Sequence, residues 1–326
     1  MKRLVESPFF YFGFLVLAGM AYYLFLSSEG TLTVSHRDNY VLFMQKTSGQ
    51  EPDLFAAGPL TFYFYKLLSY IFQSQETSFN AGSAFLGGTL TWVLLKFSSK
   101  LKLHLYTLTF IGIWSIISPS IRYTLSHYPH LILGMIFFLL LFLSLMRKNH
   151  FLSVVFLVHL FMTHGILALL SVILVSGMLI NRKNATYLVP LSISALFGLI
   201  LWPGILSADN LSRIFSMAWH SPPITLAWKL NPGDIPFFWI LETILITGLL
   251  AGLITYGIVN ISRKRINRNE MVYSFIILLL CLPVYNFIPF PAGIQIFLAF
   301  PILILPGVSL LGGILVRSKP SESIKN

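Results

Sequence analysis

The chain has 326 residues, of which 56% are hydrophobic and only 10% charged, and its mean hydropathy is +0.79. This composition excludes a soluble globular domain, a disordered chain and a small disulfide-built domain, and it supplies apolar residues for about ten membrane spans of roughly 20 residues each. The single cysteine, Cys281, excludes an internal disulfide and a zinc site built on paired cysteines.

The apolar runs predict the membrane spans in chain order. The first run, about 9–26, is long for the hydrophobic region of a signal peptide, so we predict an uncleaved anchor. The run 151–180 is too long for one ordinary helix and is divided at Thr163-His164-Gly165. The further predicted spans are 81–97, 103–118, 131–146, 151–164, 165–180, 187–203, 236–259, 271–288 and 293–316. The chain is therefore predicted to be an all-α polytopic membrane protein with about ten transmembrane helices.

The stretch 54–72 is apolar but is not counted among the spans. Its part after Pro59 has only about 13 residues, too short for a hydrocarbon core about 30 Å thick. It also contains Lys66 and is dense in tyrosine and phenylalanine, which is typical of a helix lying in the membrane surface. We therefore predict an interfacial helix within a long first outer loop, 27–80.

The basic residues predict the orientation of the spans. After residue 81, most lysines and arginines fall on one side of the membrane, whereas Arg122, Arg213 and Lys229 fall on the other. Because basic residues concentrate in cytoplasmic loops, we predict cytoplasmic termini, a plasma (inner) membrane location and outer loops at 27–80 and 206–235. The net charge of +11 thus follows membrane topology, which excludes nucleic acid as the partner.

Acidic residues are scarce, and Asp38 is the most informative of them. It follows His36 and Arg37 just beyond the first span, where a carboxylate would lie at the bilayer surface beside a cation. Such a group can serve as a general base or as a metal ligand, although the local sequence by itself favours a solvated loop aspartate. The sequence contains no catalytic triad, Walker loop or dinucleotide-binding motif.

The order of these features resembles the membrane glycosyltransferases of the GT-C fold, which include protein O-mannosyltransferases, oligosaccharyltransferases and the lipid A aminoarabinose transferase. The matching features are an anchor span, Asp38 early in an outer loop, an interfacial helix after Gly58-Pro59, a basic inner loop at 96–102, an outer turn at 125–131 and a short turn at 163–165. The similarity covers a core of residues 1–205, which the outer loop 206–235 and C-terminal helices in 236–326 follow.

The chain also departs from the family pattern. Tyr128 stands where the family usually has a second carboxylate, and His164 stands where it has a turn lysine. Gly58 and Gln295 stand where basic or histidine residues are common. His127 and His130 are candidates to replace the second acid as metal ligands or phosphate contacts, or they form a histidine pair without a ligand.

The resemblance implies inverting transfer of a sugar from a polyprenyl-phosphate donor to an unidentified acceptor at the outer face. Asp38 would be the catalytic base. A divalent metal bound by Asp38, His127 and His130 is a candidate cofactor, and membrane lipids are the expected surroundings. The groups expected to bind substrate or phosphate are Arg37, Lys66, Arg122, His127, Tyr128 and His130.

Two other functions remain open. A transporter or flippase of a lipid-linked substrate would place ionisable groups within the spans, where His104, His159 and Glu242 are the main candidates, but no repeat between halves is visible. A non-catalytic membrane scaffold with the same fold would explain the loss of the second acid.

Overall fold

The computed structural model of the chain describes residues 7–28, 40–41, 44, 59–72, 74–100, 105–127, 129–164, 167–168, 171–172, 175 and 188–201. Within these residues the secondary structure is helical and contains no strand, which confirms the all-α prediction for this part of the chain. The helices are α1 (Pro8–Ser28), α2 (Pro59–Ile71), α3 (Gln75–Lys100), α4 (Leu105–Ile117), α5 (Pro119–His127), α6 (Pro129–Met146), α7 (His150–Thr163) and α8 (Leu188–Leu201).

Most helices coincide with sequence predictions. Six helices fall on predicted spans: α1 on 9–26, α3 on 81–97, α4 on 103–118, α6 on 131–146, α7 on 151–164 and α8 on 187–203. α2 falls on the predicted interfacial helix. The predicted spans 165–180, 236–259, 271–288 and 293–316 and the loop 206–235 lie outside the described residues, apart from a few positions in the first of them.

One helix of the described residues agrees with the prediction of a membrane protein. Among the described residues, α1 is the one helix long and apolar enough to cross a membrane, and α6 and α7 are apolar but shorter. α1 buries Tyr11, Ala18 and Tyr22 on one face, and it exposes Phe12 and Met20 on another. It therefore presents an apolar surface away from the helices it packs against.

α1 and α3 form the most extensive helix pair, and they run antiparallel. The Lys96 ammonium lies 3.7 Å from the centre of the Tyr11 ring at one end of the pair, and Tyr22, farther along α1, packs against Gly87 near the middle of α3. At Gly88 the two backbones approach so closely that an added Cβ would lie 2.6 Å from the Leu15 carbonyl oxygen. Ser28, the last residue of α1, and Gln75, the first residue of α3, consequently lie at the same end of the bundle. We call it the loop end, because residues 29–74 lead from the end of α1 to the start of α3.

α4 and α5 are joined through a polar connection that the sequence analysis did not predict as helical. The Ser118 hydroxyl accepts a hydrogen bond from the Ile121 backbone N–H at 3.3 Å, and Pro119 occupies the first helical position. A serine cap followed by proline is a favourable helix start because the cap satisfies a backbone donor and proline lacks one. The predicted outer turn at 125–131 thus contains the end of a nine-residue helix.

α6 and α7 form an antiparallel hairpin through a short turn. The Asn149 side chain accepts from the Leu152 N–H at 3.1 Å and caps α7, and Lys148 adopts a left-handed conformation with φ of 56°. α7 ends at Thr163, where His164 is extended and its backbone N–H still bonds the Leu160 carbonyl. α7 therefore ends where the sequence predicted the division of the run 151–180, and Gly165 of the predicted turn lies outside the described residues. α8 packs against α7, and the Ser194 hydroxyl donates to the Val154 carbonyl at 3.3 Å.

Candidate functional site

Tyr40 lies at the centre of a buried aromatic cluster at the loop end. Its side chain is 1% exposed, and its ring stacks on Phe62 of α2 at a centroid distance of 4.7 Å. The ring also contacts Tyr65 of α2 at 5.2 Å and Phe79 of α3 at 6.0 Å. Aromatic pairs at such distances add about 0.5–1.5 kcal/mol each beyond their buried area. Tyr40, which precedes α2 in the chain, is therefore held against α2 and α3.

The same tyrosine contacts a histidine 90 residues later in the chain. The Tyr40 hydroxyl lies 2.8 Å from Nδ1 of His130, the second residue of α6. The His130 ring in turn stacks on the His164 ring, with a centroid distance of 5.5 Å and an interplanar angle of 18°. We call Tyr40, Phe62, Tyr65, Phe79, His130 and His164 the Tyr40 cluster. It joins Tyr40 to α2, α3, the start of α6 and the end of α7.

Local structure explains the positions of both histidines. Pro129 begins α6, which places His130 in its first turn. His164 is the residue after α7, and its Nδ1 accepts a hydrogen bond from the Leu167 backbone N–H at 3.4 Å. Gly134 lies one helical turn after His130, and a Cβ there would lie 3.0 Å from the His164 Cβ. The close packing of His164 on α6 therefore depends on a glycine at this position.

The two buried phenols of the cluster are held in their neutral form. Burial raises the pKa of Tyr40 well above its usual value, and the neighbouring Tyr65 adds to this shift. Burial also raises the pKa of Tyr65, although its hydrogen bond with the Ser83 hydroxyl at 2.7 Å opposes the shift. A phenol ordinarily titrates near pH 10, so both hydroxyls keep their protons at neutral pH. Tyr40 therefore contacts Nδ1 of His130 as a neutral phenol, and the hydroxyl donates if Nδ1 carries no proton.

Lys66, one of the predicted phosphate contacts, binds the backbone at Met44, in the segment that precedes α2. Its ammonium donates to the Met44 carbonyl oxygen at 2.6 Å and lies 5.7 Å from the centre of the Tyr70 ring. Met44 is itself buried. Lys66 thus ties residue 44 to α2, close in sequence to the point where Tyr40 contacts α6.

Arg122, another predicted phosphate contact, lies at the loop end on α5. Its Nε donates to the Ile116 carbonyl oxygen at 3.4 Å, and the guanidinium carbon lies 4.9 Å from the centre of the Phe25 ring. The side chain is half-buried. It links α5 to the end of α1, and the guanidinium remains at the same end of the bundle as the Tyr40 cluster.

The other predicted site residues are described in part or not at all. Arg37, Asp38 and Tyr128 lie outside the described residues, and only the backbone of His127 is described, as the last residue of α5. The described part of the chain contains no group of three or more histidine, cysteine, aspartate or glutamate residues able to hold a metal. Of the three predicted metal ligands, only the His130 side chain is described, and its Nδ1 already binds Tyr40.

Sequence reasoning missed Tyr40 and His164 as parts of the site. Tyr40 is two residues after Asp38, but a single tyrosine in a loop carries no distinguishing pattern. His164 was interpreted as part of a turn, at the position of the family's lysine, and its ring stacking arises from the packing of α6 on α7. Comparison with protein-family models, curated proteins and solved structures finds no match to this chain.

Proposed function

We propose that the chain is a multi-pass membrane glycosyltransferase that transfers a sugar from a polyprenyl-phosphate donor to an acceptor at the outer face. The observation that carries this proposal is the contact between Tyr40 and His130 at 2.8 Å. The resemblance to GT-C enzymes requires the first outer loop and the turn before α6 to border one site. Covalent geometry keeps the Cα of Asp38 within about 7 Å of the Cα of Tyr40, so the contact supports convergence of the two loops.

The helix directions support the membrane topology in this proposal. Because α1 and α3 run antiparallel, the segment between them makes no net crossing of the bundle. α2 has 13 residues and is about 20 Å long at 1.5 Å per residue, shorter than a hydrocarbon core of about 30 Å. It buries Phe62 and Tyr65 and exposes Tyr63, Leu67 and Tyr70, as a helix at the interface would.

In the proposed reaction, Asp38 accepts the proton of the acceptor hydroxyl or amide as that group attacks the anomeric carbon. The bond between this carbon and the phosphate oxygen breaks with inversion, and polyprenyl phosphate leaves with the electron pair. The departing phosphate gains negative charge, so nearby cations stabilise it. Arg37 and His127 are the proposed contacts, and Arg122 lies at the same end of the bundle, where its guanidinium can contribute.

The transport alternative has less support from the described residues. It would need ionisable groups available near the middle of the spans. His159 is the candidate in α7, and its Nδ1 is engaged with the Val155 carbonyl of the same helix at 2.7 Å. The buried histidines with long-range contacts, His130 and His164, lie at the loop end. This distribution favours chemistry at the outer face over passage through the bundle.

The test uses the purified full-length chain in proteoliposomes. Sugar-labelled polyprenyl phosphates would be supplied as donors, with membranes from cells lacking the chain as the source of acceptor. We expect label to move to an acceptor and unlabelled polyprenyl phosphate to appear in equal amount. A nucleotide sugar carrying the same label is the matched donor control and should support no transfer. Failure of every polyprenyl-phosphate donor in a panel of hexoses and pentoses would contradict the proposal.

A further inference from the structure

We propose that Tyr40, His130 and His164 are positioning residues that dock the first outer loop onto the start of α6 and the end of α7, and that His130 does not bind phosphate. The docking itself depends only on contacts in the structure. Its effect on sugar transfer rests on the proposed function. The inference reassigns His130, which the sequence analysis placed among the phosphate contacts.

Two anchors hold the loop, four residues apart. Tyr40 is 1% exposed and bonds Nδ1 of His130 on α6, and Met44 is 4% exposed and accepts from the Lys66 ammonium on α2. The Tyr40 ring also stacks on Phe62. The two anchors lie on two different helices. Tyr40 is thus attached to the bundle by its side chain and Met44 by its backbone carbonyl.

The surroundings of His130 fit docking better than phosphate binding. Its side chain is 1% exposed, its Nδ1 lies 2.8 Å from the Tyr40 hydroxyl, and its ring is stacked against His164. His164 is fully buried, and its Nδ1 accepts from the Leu167 N–H. A lipid phosphate would have to displace Tyr40 to reach Nδ1. His130 and His164 therefore form a buried surface on which Tyr40 is held.

Docking has a direct consequence for the proposed base. Asp38 is two residues from Tyr40, so a fixed Tyr40 confines the Asp38 backbone to a sphere of about 7 Å. In the proposed function Asp38 acts beside the turn before α6, and release of Tyr40 would remove this restraint on its backbone. Because correct placement of a catalytic group lowers the activation barrier, undocking is expected to lower kcat and to leave the donor KM unchanged.

Limited proteolysis tests docking independently of any enzymatic activity. Trypsin cleaves after Arg37 and Lys46, which flank Tyr40 in the sequence. The experiment uses the purified full-length chain in detergent micelles. We expect Tyr40→Phe and His130→Phe each to accelerate these cleavages about 3- to 10-fold. This is the effect of losing one buried hydrogen bond when the cleavage rate follows the fraction of molecules in which the segment is undocked. The double variant should cleave no faster than the single variants, since both remove the same bond. Tyr23→Phe, which changes an exposed tyrosine of α1, is the matched control and should have no effect.

The outcomes separate the two roles of His130. If His130→Phe raises the donor KM while the cleavage rate stays at the wild-type value, His130 is a phosphate ligand and the inference is wrong. If His130→Phe does not fold, Lys66→Met breaks the second anchor, and it should also accelerate cleavage after Lys46. Unchanged cleavage in Tyr40→Phe and Lys66→Met would overturn docking. If the variants are cleaved faster but the wild-type chain transfers no sugar, the proposed function is wrong and docking is established.

Discussion

Gly88 is a position where the packing of α1 on α3 leaves no room for a larger residue. A Cβ at this position would lie 2.6 Å from the Leu15 carbonyl oxygen and 3.3 Å from the Gly19 backbone nitrogen. These are backbone atoms, so no side-chain rotation can relieve the overlap. Gly88→Ala should therefore force the two helices apart by several tenths of an ångström or more. Small residues at such crossings allow close backbone approach, which is a common source of stability between membrane helices.

The expected cost follows from two opposing terms. Overpacking of a close contact typically costs about 1–3 kcal/mol, and a backbone overlap belongs at the upper end of that range. Alanine gains up to about 1 kcal/mol over glycine in helix propensity. We therefore expect Gly88→Ala to lower the free energy of unfolding by about 2 kcal/mol, after subtraction of the propensity gain.

Gly13→Ala is the matched control on α1, because a Cβ at Gly13 would meet no atom within 4 Å. This variant should gain the propensity term alone, and the difference between the two variants isolates the packing cost. The assay is reversible unfolding of the purified chain in mixed micelles, followed by tryptophan fluorescence as the denaturing detergent fraction rises. Equal stability of Gly88→Ala and Gly13→Ala would refute the packing of α1 on α3 described above.

Two further predictions concern topology and pH. In a Cys281→Ser background, a cysteine at Lys100 should react with impermeant maleimide only from the cytoplasmic side, and one at Leu67 only from the outer side; the reverse pattern would contradict the proposed orientation. The raised pKa values of Tyr40 and Tyr65 mean that the folded state keeps phenol protons that the unfolded state loses. The stability they contribute is fully present below about pH 10 and is lost as the pH rises above it. Unfolding curves between pH 8 and 12 should show this loss, and the double Tyr→Phe variant should lose less stability over the same interval.

Helix positions were predictable because local sequence determines them. α1 follows the apolar run at 9–26, and α7 ends at Thr163, where run length and Gly165 predicted a turn. α5 was missed because it is short and amphipathic, so a search for long apolar runs passes over it. Its start was nevertheless signalled by Ser118-Pro119, a capping residue followed by proline.

The contacts at the loop end were not predictable from the sequence. A site shared by the loop 27–80 and the turn 125–131 was implied by the family resemblance and stays a prediction, whereas the described contact between these segments is made by Tyr40 and His130. A contact across 90 residues depends on how α2, α3 and α6 pack, which hydrophobic periodicity does not encode. His164 illustrates the same limit, since its stacking on His130 requires the close approach that Gly134 allows.

The proposed role of Asp38 is tested most directly by the rate of sugar transfer from a polyprenyl-phosphate donor in Asp38→Asn. This substitution keeps the size and polarity of the side chain and removes its capacity to accept a proton. Transfer should fall by about 10²- to 10⁴-fold, the range typical for loss of a general base, with the unfolding transition unchanged. Glu51→Gln and Asp53→Asn remove the other carboxylates of the same loop and should have much smaller effects. Wild-type rates in Asp38→Asn would exclude this residue as the base and contradict the mechanism.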